Sequence, residues 1–154
     1  MSGQTTHQGV PRVLLVDDSR ETLALLRSVL EDEGIEVVGT AADGLEASHL
    51  ADRLIPDVVL MDLRMPGLDG FQATRLIKQK HPWMQVIILT FYDELLPTQS
   101  PQECGAFAYL VKDGGPGLVV DAVLRAWRHQ GGLTNRPELI HTENQTDSII
   151  HLDE

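Results

Sequence analysis

Cysteine occurs once in the 154 residues, at Cys104, so the chain offers no second thiol for a disulfide and is not a stapled secreted scaffold. Long apolar runs are also missing. No charged leader precedes a hydrophobic stretch of spanning length, so neither secretion nor membrane insertion is expected, and the chain reads as cytoplasmic. Basic residues are scarce, with 12 Lys and Arg against 23 Asp and Glu and a formal net charge of -11. That balance disfavours non-specific contact with nucleic acid or an anionic membrane, both of which depend on positive charge. The 6 histidines show no metal-ligand spacing and are expected in structural or surface positions. A Walker-type glycine-rich loop is absent, which excludes a nucleotide site of that kind.

What is present has a clear order. The length suits one core that folds without disulfides or metals. Residues 1–10 are rich in Ser, Gly, Gln and Thr without an apolar period and are expected to be a disordered lead-in. Residues 11–130 carry the fold, and residues 131–154 form an acidic tail without a recognisable domain. Inside the central span, short β-rich apolar runs alternate five times with amphipathic stretches, the pattern of a parallel sheet covered by helices on both faces. The strands are expected at residues 13–16, 35–40, 58–62, 86–90 and 106–111. Between them, Leu23, Leu26, Val29 and Leu30 mark a first helix closed by Gly34. Ala47, Leu50, Ala51 and Leu54 mark a second, opened by Asp43-Gly44. A third helix runs from Asp69 or Gly70 to Lys80. The last follows Gly114-Gly115-Pro116-Gly117, carries Leu118, Ala122, Leu124 and Trp127, and stops at Gly131-Gly132.

In open parallel sheets, ligands bind beyond the carboxyl ends of the strands, where loops and helix N-termini converge. Here the first strand ends in Asp17-Asp18, the third in Asp62 and the fourth in Thr90, while the fifth leads into Lys112. Each has an ordinary explanation alone. Asp18 or Ser19 could cap a helix, Asp62 could form a turn, Thr90 could be a β-branched strand residue and Lys112 a surface residue. Together, three carboxylates at one edge repel one another unless a cation compensates. Mg2+ suits them, because it takes oxygen ligands and commonly binds through one or two carboxylates plus a substrate phosphate. Asp62 then serves as a nucleophile toward phosphorus, with Asp17 and Asp18 holding the metal directly or through water. Lys112 pairs with one phosphoryl oxygen and Thr90 donates a hydrogen bond to another.

The strings Val-Asp-Asp-Ser, Leu-Met-Asp-Leu-Arg-Met-Pro-Gly-Leu-Asp-Gly, Ile-Leu-Thr and Ala-Tyr-Leu-Val-Lys-Asp occur in that order. Over roughly residues 11 to 130 the chain resembles the receiver domains of bacterial two-component response regulators. The resemblance implies a flavodoxin-like (βα)5 fold, a doubly wound parallel five-stranded sheet in the order 2-1-3-4-5. It implies Asp62 as phosphoacceptor, Asp17 and Asp18 as the acidic pair, Thr90 as switch hydroxyl and Lys112 as the paired lysine. The metal would also take the backbone carbonyl of Arg64. Tyr109, three residues before Lys112, would be the aromatic that turns inward when the hydroxyl moves; the alternative is a strand-edge ring packing on the fourth helix. The implied partners are a sensor histidine kinase or phosphotransfer protein as donor, and an output protein the sequence does not name. A homodimer through the first and fifth helices, or through the fourth-fifth face, is compatible with it.

Several positions depart from the family pattern. Phe91 and Tyr92 follow Thr90 where a small residue is usual, and bulk there should slow phosphoryl exchange with small donors and slow phosphate loss; an unchanged lifetime in Phe91→Ala would refute this. Pro97 and Pro101 break the fourth helix into a short turn ending near Leu96, a loop, and a second turn with Pro101 in its first position. Asp113 replaces a cis-proline step, as in the subgroup that precedes a helix-turn-helix DNA-binding domain. Residues 141–154 are too short for such a module, so no direct nucleic-acid contact is expected by that route. Cys104 is expected between the fourth helix and the sheet. The functional reading is a phosphorelay switch whose chemistry is confined to itself. The alternatives are a phosphorylation-independent pseudo-receiver that docks other proteins, or the receiver part of a shortened transcriptional regulator. A haloacid-type phosphatase would need a second Asp where Arg64 stands.

Overall fold

The computed structural model of the chain describes residues 9–90, 101–111 and 114–129. Its elements are β1 (Arg12–Val16), α1 (Arg20–Asp32), β2 (Glu36–Ala41), α2 (Gly44–Leu54), β3 (Val58–Asp62), α3 (Gly70–Lys80), β4 (Gln85–Thr90), α4 (Pro101–Cys104), β5 (Ala108–Val111) and α5 (Pro116–Arg128). The strands form one sheet in the order β2-β1-β3-β4-β5, and each neighbouring pair is parallel. This is the flavodoxin-like doubly wound arrangement that the resemblance implies.

Alternation along the buried strands sends successive side chains to opposite faces. Val13 and Leu15 of β1, Leu60 of β3 and Leu89 of β4 join Leu26 and Leu30 of α1 and the apolar stripe of α5. On the other face, Leu14, Val16, Val59 and Met61 meet Ala47 and Ala51 of α2 and Ala73 and Ile77 of α3. A smaller cluster of Leu63, Phe71, Ile88, Cys104, Ala106 and Tyr109 continues that second face toward β5. Cys104 thus packs between the fourth helix and the sheet. No helix among the described residues is long and apolar enough to cross a membrane.

The helix starts follow local chemistry. Ser19 caps α1 by accepting from Thr22 N, and Asp43 caps α2 by accepting from Glu46 N. Asp69 and Gln72 form a reciprocal capping box on α3, with bonds of 2.8 and 2.9 Å. Gly34 follows the C-cap of α1 with φ of 80°, as the sequence suggests.

Some boundaries differ from expectation. β2 begins at Glu36, because Ile35 N donates to Leu30 O and closes the preceding helix. β5 begins at Ala108; Ala106 and Phe107 are buried before it, and Phe107 N still reaches Val86 O at 2.7 Å. The last helix starts earlier than expected, at Pro116 and not after Gly117, because proline lacks the donor that a first helical residue leaves unused. It ends at Arg128, before Gly131-Gly132, where His129 N reaches the carbonyls of Arg125 and Ala126. α4 begins at Pro101 as expected, while the expected break around Pro97 lies outside the described residues.

Candidate functional site

Strand register brings the carboxylates together. Val16 of β1 is paired with Met61 of β3, so the next residues, Asp17 and Asp62, emerge side by side at the carboxyl edge. Asp17 is fixed by two local bonds: its N–H donates to Ala41 O at 3.0 Å, and its Oδ1 accepts from Ser19 N at 2.9 Å. Asp18 follows, exposed to solvent. One oxygen from each of Asp17, Asp18 and Asp62 lies within 4.8 Å of the others. Among the described residues this is the one group of three or more acidic, histidine or cysteine side chains that could share an ion.

Asp17 and Asp62 are only 2% and 3% exposed, so most of their charge is held away from bulk water. Burial of like charges at this spacing is favourable only with positive charge nearby. The donor set is oxygen alone, two donors buried and one open to solvent, which fits a hard cation that keeps part of its water shell. Beside the trio an open cleft of about 460 Å3 is walled by Asp18, Leu63, Arg64, Met65, Pro66 and Asp69. Arg64 therefore shares that cleft with Asp18, the exposed member of the trio.

The turn leaving β3 is tied down at both ends. Leu63 N donates to Leu89 O at 3.0 Å, and Gly70 N donates to Leu63 O at 2.8 Å. Leu63 is itself 1% exposed and anchors the turn in the small cluster beneath the site. Sequence reasoning missed this anchor, since one leucine after an aspartate carries no distinctive signal.

Thr90 ends β4, fully buried and one step past Leu89, the register partner of Asp62. Tyr109 pairs with Ile88, which places its ring on the same sheet face as Thr90. The ring is buried, stacked on Phe71 with centroids 6.2 Å apart, and shares its cluster with Cys104. Lys112 lies outside the described residues, as do Phe91, Tyr92 and Asp113. The residue before Lys112, Val111, is paired with Thr90, so β5 runs to the same edge.

Two further groups are shifted by burial. Burial pushes the Cys104 thiol up to about 11 and pulls the Lys78 amine down to about 8. Lys78 Nζ donates to Pro82 O and Met84 O at 2.6 and 2.9 Å, fastening the turn after α3. Of the histidines, His81 engages Asp52 at 2.8 Å and His129 lies against Phe107, both structural placements.

A doubly wound sheet with an acidic trio at its carboxyl edge defines the class, and sequence comparison supplies the family. The response regulator receiver domain model matches residues 13–124, and the chain belongs to that family. The transcriptional regulatory protein LnrK of Bacillus subtilis (strain 168) is 39% identical over 132 residues, covering 83% of this chain and 58% of LnrK. A protein-glutamate methylesterase/protein-glutamine glutaminase of Methanospirillum hungatei is 52% identical over 85 residues, covering 54% of this chain and 24% of that protein. The chain therefore spans less than two thirds of the length of these relatives. Among solved structures, the signal receiver domain of NarL from Mycobacterium tuberculosis is similar with a TM-score of 0.72 and 30% identity, over 78% of this chain and 98% of that one.

Proposed function

We propose that this chain is a phosphorelay receiver in which Asp62 accepts a phosphoryl group from a sensor histidine kinase or phosphotransfer protein. The observation that carries the reading is the convergence of Asp17, Asp18 and Asp62 within 4.8 Å at the carboxyl edge of the sheet. A carboxylate oxygen of Asp62 attacks phosphorus, the nitrogen–phosphorus bond of the donor phosphohistidine breaks, and the imidazole leaves with its electron pair. When bound, Mg2+ supplies positive charge that offsets the repulsion between the attacking carboxylate and the phosphoryl oxygens. Asp17, Asp18, Asp62 and the Arg64 carbonyl would hold that ion. Lys112 pairs with one phosphoryl oxygen and Thr90 donates to another. No nucleotide is needed on this chain, and the chemistry stays on its own aspartate.

The output is a switch in a protein-binding surface. A phosphoryl group adds about two negative charges at Asp62, Thr90 moves toward it, and Tyr109, on the same face of the sheet, responds. The population of the active surface rises in proportion to its preference for the phosphorylated site. Supporting a regulatory output, LnrK is named as a transcriptional regulatory protein, and this chain matches 58% of it. Incubation with Mg2+ and a small phosphodonor or cognate kinase is expected to give an acid-stable, base-labile mass gain of one phosphoryl group, absent in Asp62→Asn. Failure of every donor to modify the wild type would leave the pseudo-receiver reading standing.

A further inference from the structure

Two helices on the same face of the sheet begin with the same dipeptide, Asp43-Gly44 at α2 and Asp69-Gly70 at α3. The aspartates are caps. The glycines call for a different explanation, because both have ordinary φ values and glycine is a poor helix former. The reason lies in what each one touches. A Cβ on Gly70 would stand 2.5 Å from Asp62 O and 2.8 Å from Leu63 Cα. A Cβ on Gly44 would stand 2.8 Å from Leu68 Cβ and 2.9 Å from Leu68 O. Real Cβ atoms do not approach other atoms this closely, and most of the crowded atoms are main chain that cannot swing aside. The turn at residues 63–68, which contributes Leu63, Arg64, Met65 and Pro66 to the wall of the cleft, is thus held at its two ends by bare backbone.

We propose that Gly44 and Gly70 are positioning residues for the metal-binding turn, setting the distance between the Arg64 carbonyl and the acidic trio. This rests on the reading of that trio as a Mg2+ site. Gly44 is the informative member, since it belongs to another element and the atoms nearest its Cβ would be those of Leu68 and, at 3.0 Å, Ala73 Cβ, none of them a proposed ligand. A methyl there pushes Leu68 and shifts the turn as a whole. Metal affinity then falls, while the carboxylates themselves are untouched.

The full chain and three variants separate this from a general packing role. Gly39→Ala is the control: its Cβ would stand 2.7 Å from Leu54 Cδ1, a mobile side-chain end away from the site. Each protein is titrated calorimetrically with Mg2+ alone and melted with and without it. Gly44→Ala and Gly70→Ala are expected to weaken Mg2+ binding by about tenfold or more, the usual penalty for disturbing what orients metal ligands. At saturating Mg2+, Gly44→Ala should regain the wild-type rate of phosphorylation. Gly39→Ala should keep its Mg2+ affinity, because Leu54 Cδ1 can swing aside. Should Gly44→Ala not fold, Leu68→Gly removes the opposite side of the contact without crowding and is expected to weaken Mg2+ in the same direction. Mg2+ affinity within about twofold of wild type in folded Gly44→Ala, or failing that in Leu68→Gly, overturns the proposal. A wild type that binds no Mg2+ removes the metal reading itself, and this proposal with it.

Discussion

The two ends of the sheet treat charge in opposite ways. At the amino end two described carboxylates, Asp57 and Asp52, meet donors from other elements. Asp57 Oδ2 accepts from Arg12 N at 2.9 Å, and the Arg12 guanidinium donates to Ile55 O and Leu54 O, where α2 ends. Asp52, near the end of α2, holds Lys80 at 2.9 Å and His81 at 2.8 Å from the end of α3. Those charges tie helix ends to strand starts, where cations also complement the exposed carbonyls. At the carboxyl end the same chain gathers three charges of one sign within 4.8 Å. The contrast teaches that one end uses charge to close the fold, whereas the other concentrates it where a ligand can respond to it.

Substitutions at the two ends should therefore act in opposite directions. The largest effect concerns Mg2+: at a hundredfold excess over its Kd the ion should stabilise the protein by about 2.7 kcal/mol, and thermal unfolding should record a rise of about 10 °C. Asp17→Asn should abolish that rise, while Asp52→Asn should leave it intact; an equal loss in both would erase the distinction. The second effect is a gain without metal. Asparagine at position 17 can still accept from Ser19 N, and Asp17→Asn takes one negative charge out of the trio. Denaturant unfolding in chelator should show it more stable than wild type by on the order of 1 kcal/mol. The smallest effect belongs to Asp52→Asn, an exposed site where ion pairs contribute little. Lys80 and His81 hold the Asp52 carboxyl below its ordinary value of 3.8. A lowered carboxylate stabilises the fold above its unfolded value and loses that contribution as pH falls through the folded one. Melting curves of wild type and Asp52→Asn should accordingly differ at neutral pH and converge below pH 3.8.

The carboxyl end was the more legible in sequence. Strand-terminal Asp17, Asp62 and Thr90 declare themselves because polar residues interrupt apolar runs, and a parallel sheet brings all such interruptions to one edge. The amino end was silent: nothing about Asp52, Lys80 and His81 signals contact until the sheet sets α2 beside α3. Gly44 and Gly70 read as helix openers, and their crowding against the turn needs three-dimensional placement. The start of α5 was misjudged because glycine on both sides of Pro116 suggests a loop, whereas the proline itself is a preferred first helical residue. Tyr109 was legible as an inward ring or an edge ring; packing against Phe71 buries it on an edge strand.

The central claim is that Asp62 takes the phosphoryl group, and locating the group chemically is its most direct test. After phosphorylation in Mg2+, borohydride reduces an aspartyl phosphate to homoserine, and peptide sequencing reads the position. Homoserine at position 62, dependent on Mg2+ and lost in Asp17→Asn, is the result expected. Homoserine at Asp17 or Asp18, or incorporation that survives Asp62→Asn, would contradict the account.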